Sequence, residues 1–289
     1  METLIRRYVR AKLDRGEFNP RSVQVCRSHL RSFADSTTAR PDRISRRTVE
    51  AWMATPGLSP AYRRSRLSTL RGFCQWACLE GHMRRDPTIG LRSPTVPKGL
   101  PRALPADQSA RLVAECHDIR TRLIVMLMLQ EGLRRCEVSR ALRPDLDLRR
   151  MTLAVRGKGG GGQPTRTVPI SLETGVTLTD YLDEQPVMWG PLIRSRRDPD
   201  LGLEPATISE LVLHVMRAAG VKAHNGDGRS AHALRHTMAT DMLDRADIRQ
   251  VQAALGHATI RTTEVYLRNQ VAGLREAMAG RTYKAGVNE

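Results

Sequence analysis

The sequence predicts a mainly α protein in two domains: a four-helix bundle over residues 1–86, then a mostly helical domain over residues 107–289 with one small antiparallel β-sheet. Three observations lead there. Apolar residues recur at helical spacing through the first 86 positions. Five prolines, Pro87, Pro94, Pro97, Pro101 and Pro105, crowd a 19-residue stretch with few large apolar side chains. Strand-like alternation is confined to residues 151–170, around a glycine-rich connection.

The first helix, about residues 2–15, carries Leu4, Ile5, Tyr8 and Ala11 at helical spacing. The second follows Asn19 and Pro20, a cap and a first-turn proline, and lines up Val23, Cys26, Leu30 and Phe33. Ser45 can cap a third helix through Val49, Trp52 and Met53. Ser59 and Pro60 open a fourth, reaching about Leu79, whose apolar stripe runs through Leu67, Leu70, Phe73 and Cys74. Arg63, Arg64, Arg66 and Arg71 are left as a basic face on that helix. The proline stretch, residues 87–106, reads as a semi-rigid extended linker.

The second domain begins with helix signals from Asp107 to Glu115 and an apolar run, Leu123 to Leu129, that suits a buried helix. Gly132 then breaks the pattern, and Arg134 stands at the mouth of a new helix with Arg135 beside it as a competing cation. Met151 to Arg156 and Arg166 to Ile170 form a hairpin whose connection, GKGGGGQPT, carries Lys158. No GxxxxGK[ST] is present, which disfavours a nucleotide-binding P-loop. Helices follow at about 171–185 and 206–219.

Charge narrows the partners. The chain has 47 Lys and Arg against 30 Asp and Glu, a net +17. Residues 1–86 hold 18 basic and 8 acidic residues, so +10 of that charge sits in the bundle. Such a field favours a polyanion, and backbone neutralisation of nucleic acid explains its placement. The five cysteines are scattered through apolar stretches and read as free thiols in a reducing compartment, with no zinc-type pairing. The longest apolar run is far too short to span a bilayer, and the expected location is cytoplasmic.

The chemistry concentrates between Ser230 and Leu267. His232 and Arg235 are three apart, so a helix presents both to one ligand. Asp247 and Gln250 form a capping-box variant, Gly256 ends that helix, and His257 follows at its end. A single tyrosine, Tyr266, comes next. Such a set can bind a phosphate and attack it. His232, His236 and His257 lack the glutamate of a metal-hydrolase motif, so no metal site is expected.

Arg134 in GLRRCE, Lys158 in RGKGG, His232 and Arg235 in HALRH, His257 in LGH, and Tyr266 resemble, in order and spacing, the tyrosine recombinase (phage integrase) family. The resemblance covers nearly the whole chain and is to the arm-less type, similar to Xer and Cre. It implies a core-binding, SAM-like N-terminal domain and a catalytic domain ending in a tail helix. Tyr266 would then be the nucleophile toward a DNA phosphodiester, Arg134, Arg235 and His257 would hold the non-bridging oxygens, Lys158 would protonate the leaving oxygen, and His232 would assist proton transfer. Arg63, Arg64, Arg66 and Arg71 would contact DNA.

The resemblance also implies that no cofactor is required, because strand exchange conserves the bond energy and the cations supply the charge of a divalent ion. The implied partners are double-stranded DNA attachment sites, a homotetramer on synapsed DNA and an accessory directionality factor. The implied role is integration and excision by a mobile element or phage. A chromosomal Xer-type dimer-resolving recombinase is the alternative, with a non-catalytic DNA-binding regulator behind it.

Overall fold

A computed structural model describes residues 1–96, 103–157, 162–186, 188–224 and 227–256. The chain divides into two compact units, Met1–Lys98 and Gly99–Glu289.

The first unit is a bundle of α1 (Glu2–Asp14), α2 (Pro20–Asp35), α3 (Arg46–Met53) and α4 (Pro60–Leu79). Its helix starts are those the capping residues specify. Asn19 accepts from the Ser22 amide at 2.9 Å, Ser45 from Thr48 at 3.2 Å and Ser59 from Tyr62 at 3.2 Å, each satisfying a first-turn N–H that the helix cannot pair itself. The core gathers Ile5, Tyr8, Leu30, Phe33, Trp52, Leu70 and Phe73. Tyr8 meets Phe73 edge-on, with ring centroids 5.6 Å apart. Gly72 permits the approach of α1 to α4, because a Cβ there would lie 2.7 Å from the Tyr8 hydroxyl.

Each described end of the proline-rich stretch is tied to its own unit at a few residues, while Ile89, Gly90, Arg92, Ser93, Thr95 and Pro105 stay exposed. Pro87 and Thr88 are buried, and Thr88 donates from its amide and hydroxyl to Asp86 at 2.8 and 2.6 Å. Arg71 donates to the Leu91 carbonyl and, at 2.8 Å, to the Ser93 hydroxyl, tying these residues to α4. In the second unit Leu104 is buried and its amide donates to Thr237 Oγ1 at 2.8 Å. Composition alone reads prolines as a spacer; it does not show that an arginine and an aspartate bind the backbone between them.

The second unit runs α5 (Ala106–Ala114), α6 (Ile119–Leu129), α7 (Arg135–Arg140), β1 (Leu146–Asp147), β2 (Thr152–Val155), β3 (Arg166–Pro169), α8 (Leu172–Glu184), α9 (Pro205–Ala218), α10 (Ala231–Leu243) and α11 (Ile248–Leu255). From Leu123 onward helix α6 is apolar on all sides because it is the centre of the core: every residue from Leu123 to Leu129 is buried. The sheet is antiparallel in the order β1-β2-β3, with Leu153 opposite Val168 and Val155 opposite Arg166. Leu153, Val155 and Val168 face the core. The expected hairpin is therefore present, with β1 added, a two-residue strand too short to show alternation in the sequence. A smaller cluster, Ala239, Leu243, Val251 and Leu255, fastens α11 to α10. Among the described residues no helix is long and apolar enough to cross a membrane.

Candidate active site

Three elements converge on one carboxylate. Gly132, at φ +66°, turns the chain after α6, and a side chain there would meet Met238 Sδ at 2.9 Å. The turn delivers Arg134 to the N-cap position of α7 and places Glu137 in the helix's first turn. Glu137, 2% exposed at its side chain, accepts from the Arg134 amide at 2.8 Å and from Arg134 Nη1 at 2.7 Å. From β3, Arg166 reaches the same group in a fork, Nη1 to Oε1 and Nη2 to Oε2, each at 3.0 Å. From α10, Arg235 Nη1 lies 3.6 Å from Oε2. Burial opposes ionisation of Glu137, but the hydrogen bonds from Arg166 and Arg134 and their charges outweigh it and hold the carboxyl at about 2. Among the described residues the centre is one anion among three guanidinium groups, a net positive charge.

Arg235 is completely buried. Its Nη1 donates to the Gly132 carbonyl and its Nη2 to the Leu255 carbonyl, so it joins the α6–α7 turn to the last turn of α11. Arg235 and His232, expected on one face, do line one cavity of about 410 Å³, together with Arg134, Arg135 and Ser209. The two neighbouring cations separate in function: Arg134 is bound to Glu137, whereas Arg135 donates from Nη1 to Ser209 on α9 at 2.7 Å. Arg134 keeps 35% of its side chain exposed and lines the cavity while its Nη1 is bound to Glu137.

His232 stacks edge-on against His236, centroids 4.4 Å apart at 76°. Burial first, then the charges of Arg235, Arg134 and Arg135, lower the His232 pKa from its ordinary value. Burial, His232 and Arg235 push His236 down to about 4. Both imidazoles are therefore neutral at neutral pH, and a neutral His232 in the cavity can accept a proton.

The hairpin's glycine connection is closed at its base. Arg156, just past β2, donates from Nε and Nη2 to both oxygens of Asp145 at 2.6 Å and from Nη1 to the carbonyl of Gly162, within the connection. Lys158 itself lies outside the described residues, as do His257, Tyr266 and the expected tail helix. Helix α11 ends where the capping signals place it: Asp247 accepts from Arg249 and Gln250, and Gly256 takes φ +60° immediately before His257.

In the first unit, the basic face expected on α4 is divided. Arg64 is exposed, and Arg63 donates to the Thr55 carbonyl at 3.1 Å. Arg66 is 3% exposed, its guanidinium 3.8 Å from the Trp52 ring centroid and Nη2 donating to Ser32 at 3.3 Å. Arg71 is spent on Leu91 and Ser93. Helical periodicity places Arg66 beside other arginines but does not reveal that a tryptophan from α3 covers it.

Two residues of the centre are not singled out by the sequence motifs. Glu137 carries a legible signal, a carboxylate three residues after an N-cap, the spacing of a capping box. Arg166 carries none beyond opening a strand, because its partners lie 29 and 88 positions away.

The chain matches the phage integrase family over residues 102–272. It is 35% identical over 195 residues to the tyrosine recombinase XerA of Pyrococcus furiosus, covering 65% of this chain and 64% of that relative's length. It is 30% identical over 272 residues to the tyrosine recombinase XerC of Corynebacterium glutamicum, covering 89% of this chain and 84% of the relative. In fold it is similar to a lambda integrase (residues 75–356) dimer bound to a core site, with TM-score 0.76 and 18% identity over 100% of this chain and 99% of that one.

Proposed function

The chain belongs to the phage integrase family of tyrosine recombinases, and on that premise we propose that it is a site-specific DNA recombinase of a mobile element or phage, carrying out integration and excision. The observation that carries the reading is the shared cavity of Arg134, Arg235 and His232, two guanidinium groups and a neutral imidazole above a buried Glu137. A scissile phosphate is the ligand this set suits, since planar donors can bind its two non-bridging oxygens and oppose the charge that grows on pentacoordinate phosphorus. The matched span reaches residue 272 and so includes Tyr266.

In this reading the Tyr266 hydroxyl oxygen attacks phosphorus as His232 takes its proton. The bond from phosphorus to the 5′-oxygen breaks, Lys158 protonates that oxygen, and the product is a 3′-phosphotyrosyl link with a free 5′-hydroxyl. His257 adds a donor to the oxygen cluster. Attack by a 5′-hydroxyl of the partner duplex reverses the step, so no bond energy is lost and no nucleotide cofactor is consumed. The basic bundle, with Arg64 the exposed member of the four arginines, holds the flanking duplex. Two synapsed attachment sites would be held by a homotetramer, as in the lambda integrase tetramer bound to a Holliday junction, whose fold this chain shares. An accessory factor would set direction.

The test uses a circular donor and a target, each carrying a candidate attachment site, against a dimeric plasmid carrying two copies of one site. Recombinant joints between donor and target, lost in Tyr266→Phe, are expected. Resolution of the dimer alone would overturn the mobile-element role in favour of the chromosomal Xer role. A Tyr266→Phe variant with full activity would sink the recombinase reading.

A further inference from the structure

Arg166 belongs to neither the motif set nor the cavity. Its side chain is 10% exposed, and it does not line the space shared by Arg134, Arg235 and His232. Yet it spends both faces of its fork on Glu137 and its Nε on the Ala254 carbonyl at 2.9 Å. That carbonyl is in the last turn of α11, where helix geometry leaves acceptors without partners. Arg235 takes the next one, Leu255. Two arginines from different elements thus cap one helix end, and both also address Glu137.

The contact extends one residue further. A Cβ on Gly256 would lie 2.9 Å from Arg166 Nη1, 3.0 Å from Cδ and 3.2 Å from Cζ. The guanidinium therefore lies flat against the glycine that ends α11. Arg134, by contrast, is held through Glu137: both hydrogen bonds that it donates among the described residues go to that carboxylate. Whatever orients the carboxylate orients Arg134.

We propose that Arg166 is a positioning residue for strand cleavage: it fixes the Glu137 carboxylate, and through it Arg134, in register with the end of α11. The inference rests on the recombinase reading above. It assigns Arg166 no contact with the DNA. Without the fork, Glu137 keeps only the Arg134 bonds and the more distant Arg235, and Arg134 loses its tie through Glu137 to the α11 terminus. A displacement of this kind, remote from the reacting atoms, slows chemistry without weakening substrate binding.

The experiment compares the full-length wild type, Arg166→Gln, Arg166→Lys, Arg134→Ala and the Arg166→Gln/Arg134→Ala pair. The readouts are single-turnover formation of covalent adduct on a nicked suicide substrate, gel-shift affinity for the site at fixed salt, and thermal unfolding. Arg166→Gln should cleave about 10²-fold more slowly with unchanged site affinity. Arg166→Lys should not restore the rate, since an ammonium cannot make the fork. The double variant should be no slower than Arg134→Ala alone, because Arg166 acts through Arg134.

Losses that multiply in the double variant, or wild-type cleavage by Arg166→Gln, would overturn the proposal. If Arg166→Gln does not fold, the rate and affinity are read on Arg166→Lys, which keeps the charge. If neither folds, the residue is structural and the proposal fails. A wild type that forms no adduct strikes the recombinase reading itself, whereas an active wild type with multiplied losses strikes only the role of Arg166.

Discussion

Replacing Glu137 by Gln alters one oxygen and leaves the shape, but among the described residues it removes the one acid that pairs with three guanidinium groups at this centre. Glu137, Arg235 and Arg166 have side chains 2%, 1% and 10% exposed, so solvent cannot screen the loss at those positions. Arg134, 35% exposed, recovers more from water and counts for less. In addition, the amide's NH₂ would face arginine donors where an oxygen now accepts. Breaking a buried pair by removing one partner costs about 3–5 kcal/mol. For a unit of this size each kcal/mol moves Tm by roughly 2–4 °C, so a drop of about 6 °C or more is expected at pH 7. The sign with pH follows from a folded carboxyl held at about 2, below its ordinary 4.5: its stabilisation is present above 4.5 and lost as pH falls toward 2. The difference between wild type and Glu137→Gln, measured by denaturant unfolding of the full chain, should therefore narrow progressively below pH 4.5. A difference under about 1 kcal/mol at pH 7, or one that does not change with pH in that window, would refute the reasoning.

His236 titrates in a different window. Its folded pKa is pushed down to about 4 from 6.5, so the neutral, buried ring costs stability as pH falls from 6.5 toward 4; His236→Asn should remove that slope in thermal unfolding while leaving the one below 4.5. Gly256→Ala meets both φ +60° and the Arg166 guanidinium, so a loss of about 1–2 kcal/mol from the backbone alone is expected in urea unfolding, with slower adduct formation. In the bundle, Arg66→Ala should destabilise by about 2 kcal/mol through loss of its stack on Trp52, whereas Arg64→Ala should leave Tm unchanged and reduce the salt dependence of DNA affinity by about one phosphate contact. Equal thermal effects from the two arginines would contradict the buried and exposed assignments.

Helix starts are legible because caps act locally: Asn19, Ser45, Ser59 and Asp247 each bind an amide two or three residues on, and all four helices begin beside them. The turn at Gly256 is legible for the same reason, a left-handed residue following a helix. The pairing of His232 with Arg235 follows from their i, i+3 spacing. What stays hidden depends on distant partners. Arg66 looks like one more surface arginine until Trp52 covers it. Arg71 looks free until Leu91 and Ser93 fold back onto it. Arg134 and Arg135 are indistinguishable as neighbours, and only the positions of Glu137 and Ser209 separate them. Arg166 needs three elements in place before its role exists at all.

The central claim is that Tyr266 attacks a DNA phosphodiester, and a covalent adduct tests it most directly. Wild type and Tyr266→Phe are incubated with nicked suicide substrates carrying candidate sites, and the denatured products are digested and mapped by mass spectrometry. A nucleotide attached to the peptide containing Tyr266, at the 3′ side of the cleaved strand, and no adduct from Tyr266→Phe, is the predicted result. An adduct that persists in Tyr266→Phe, or cleavage by the wild type that leaves no protein on the DNA, would contradict it.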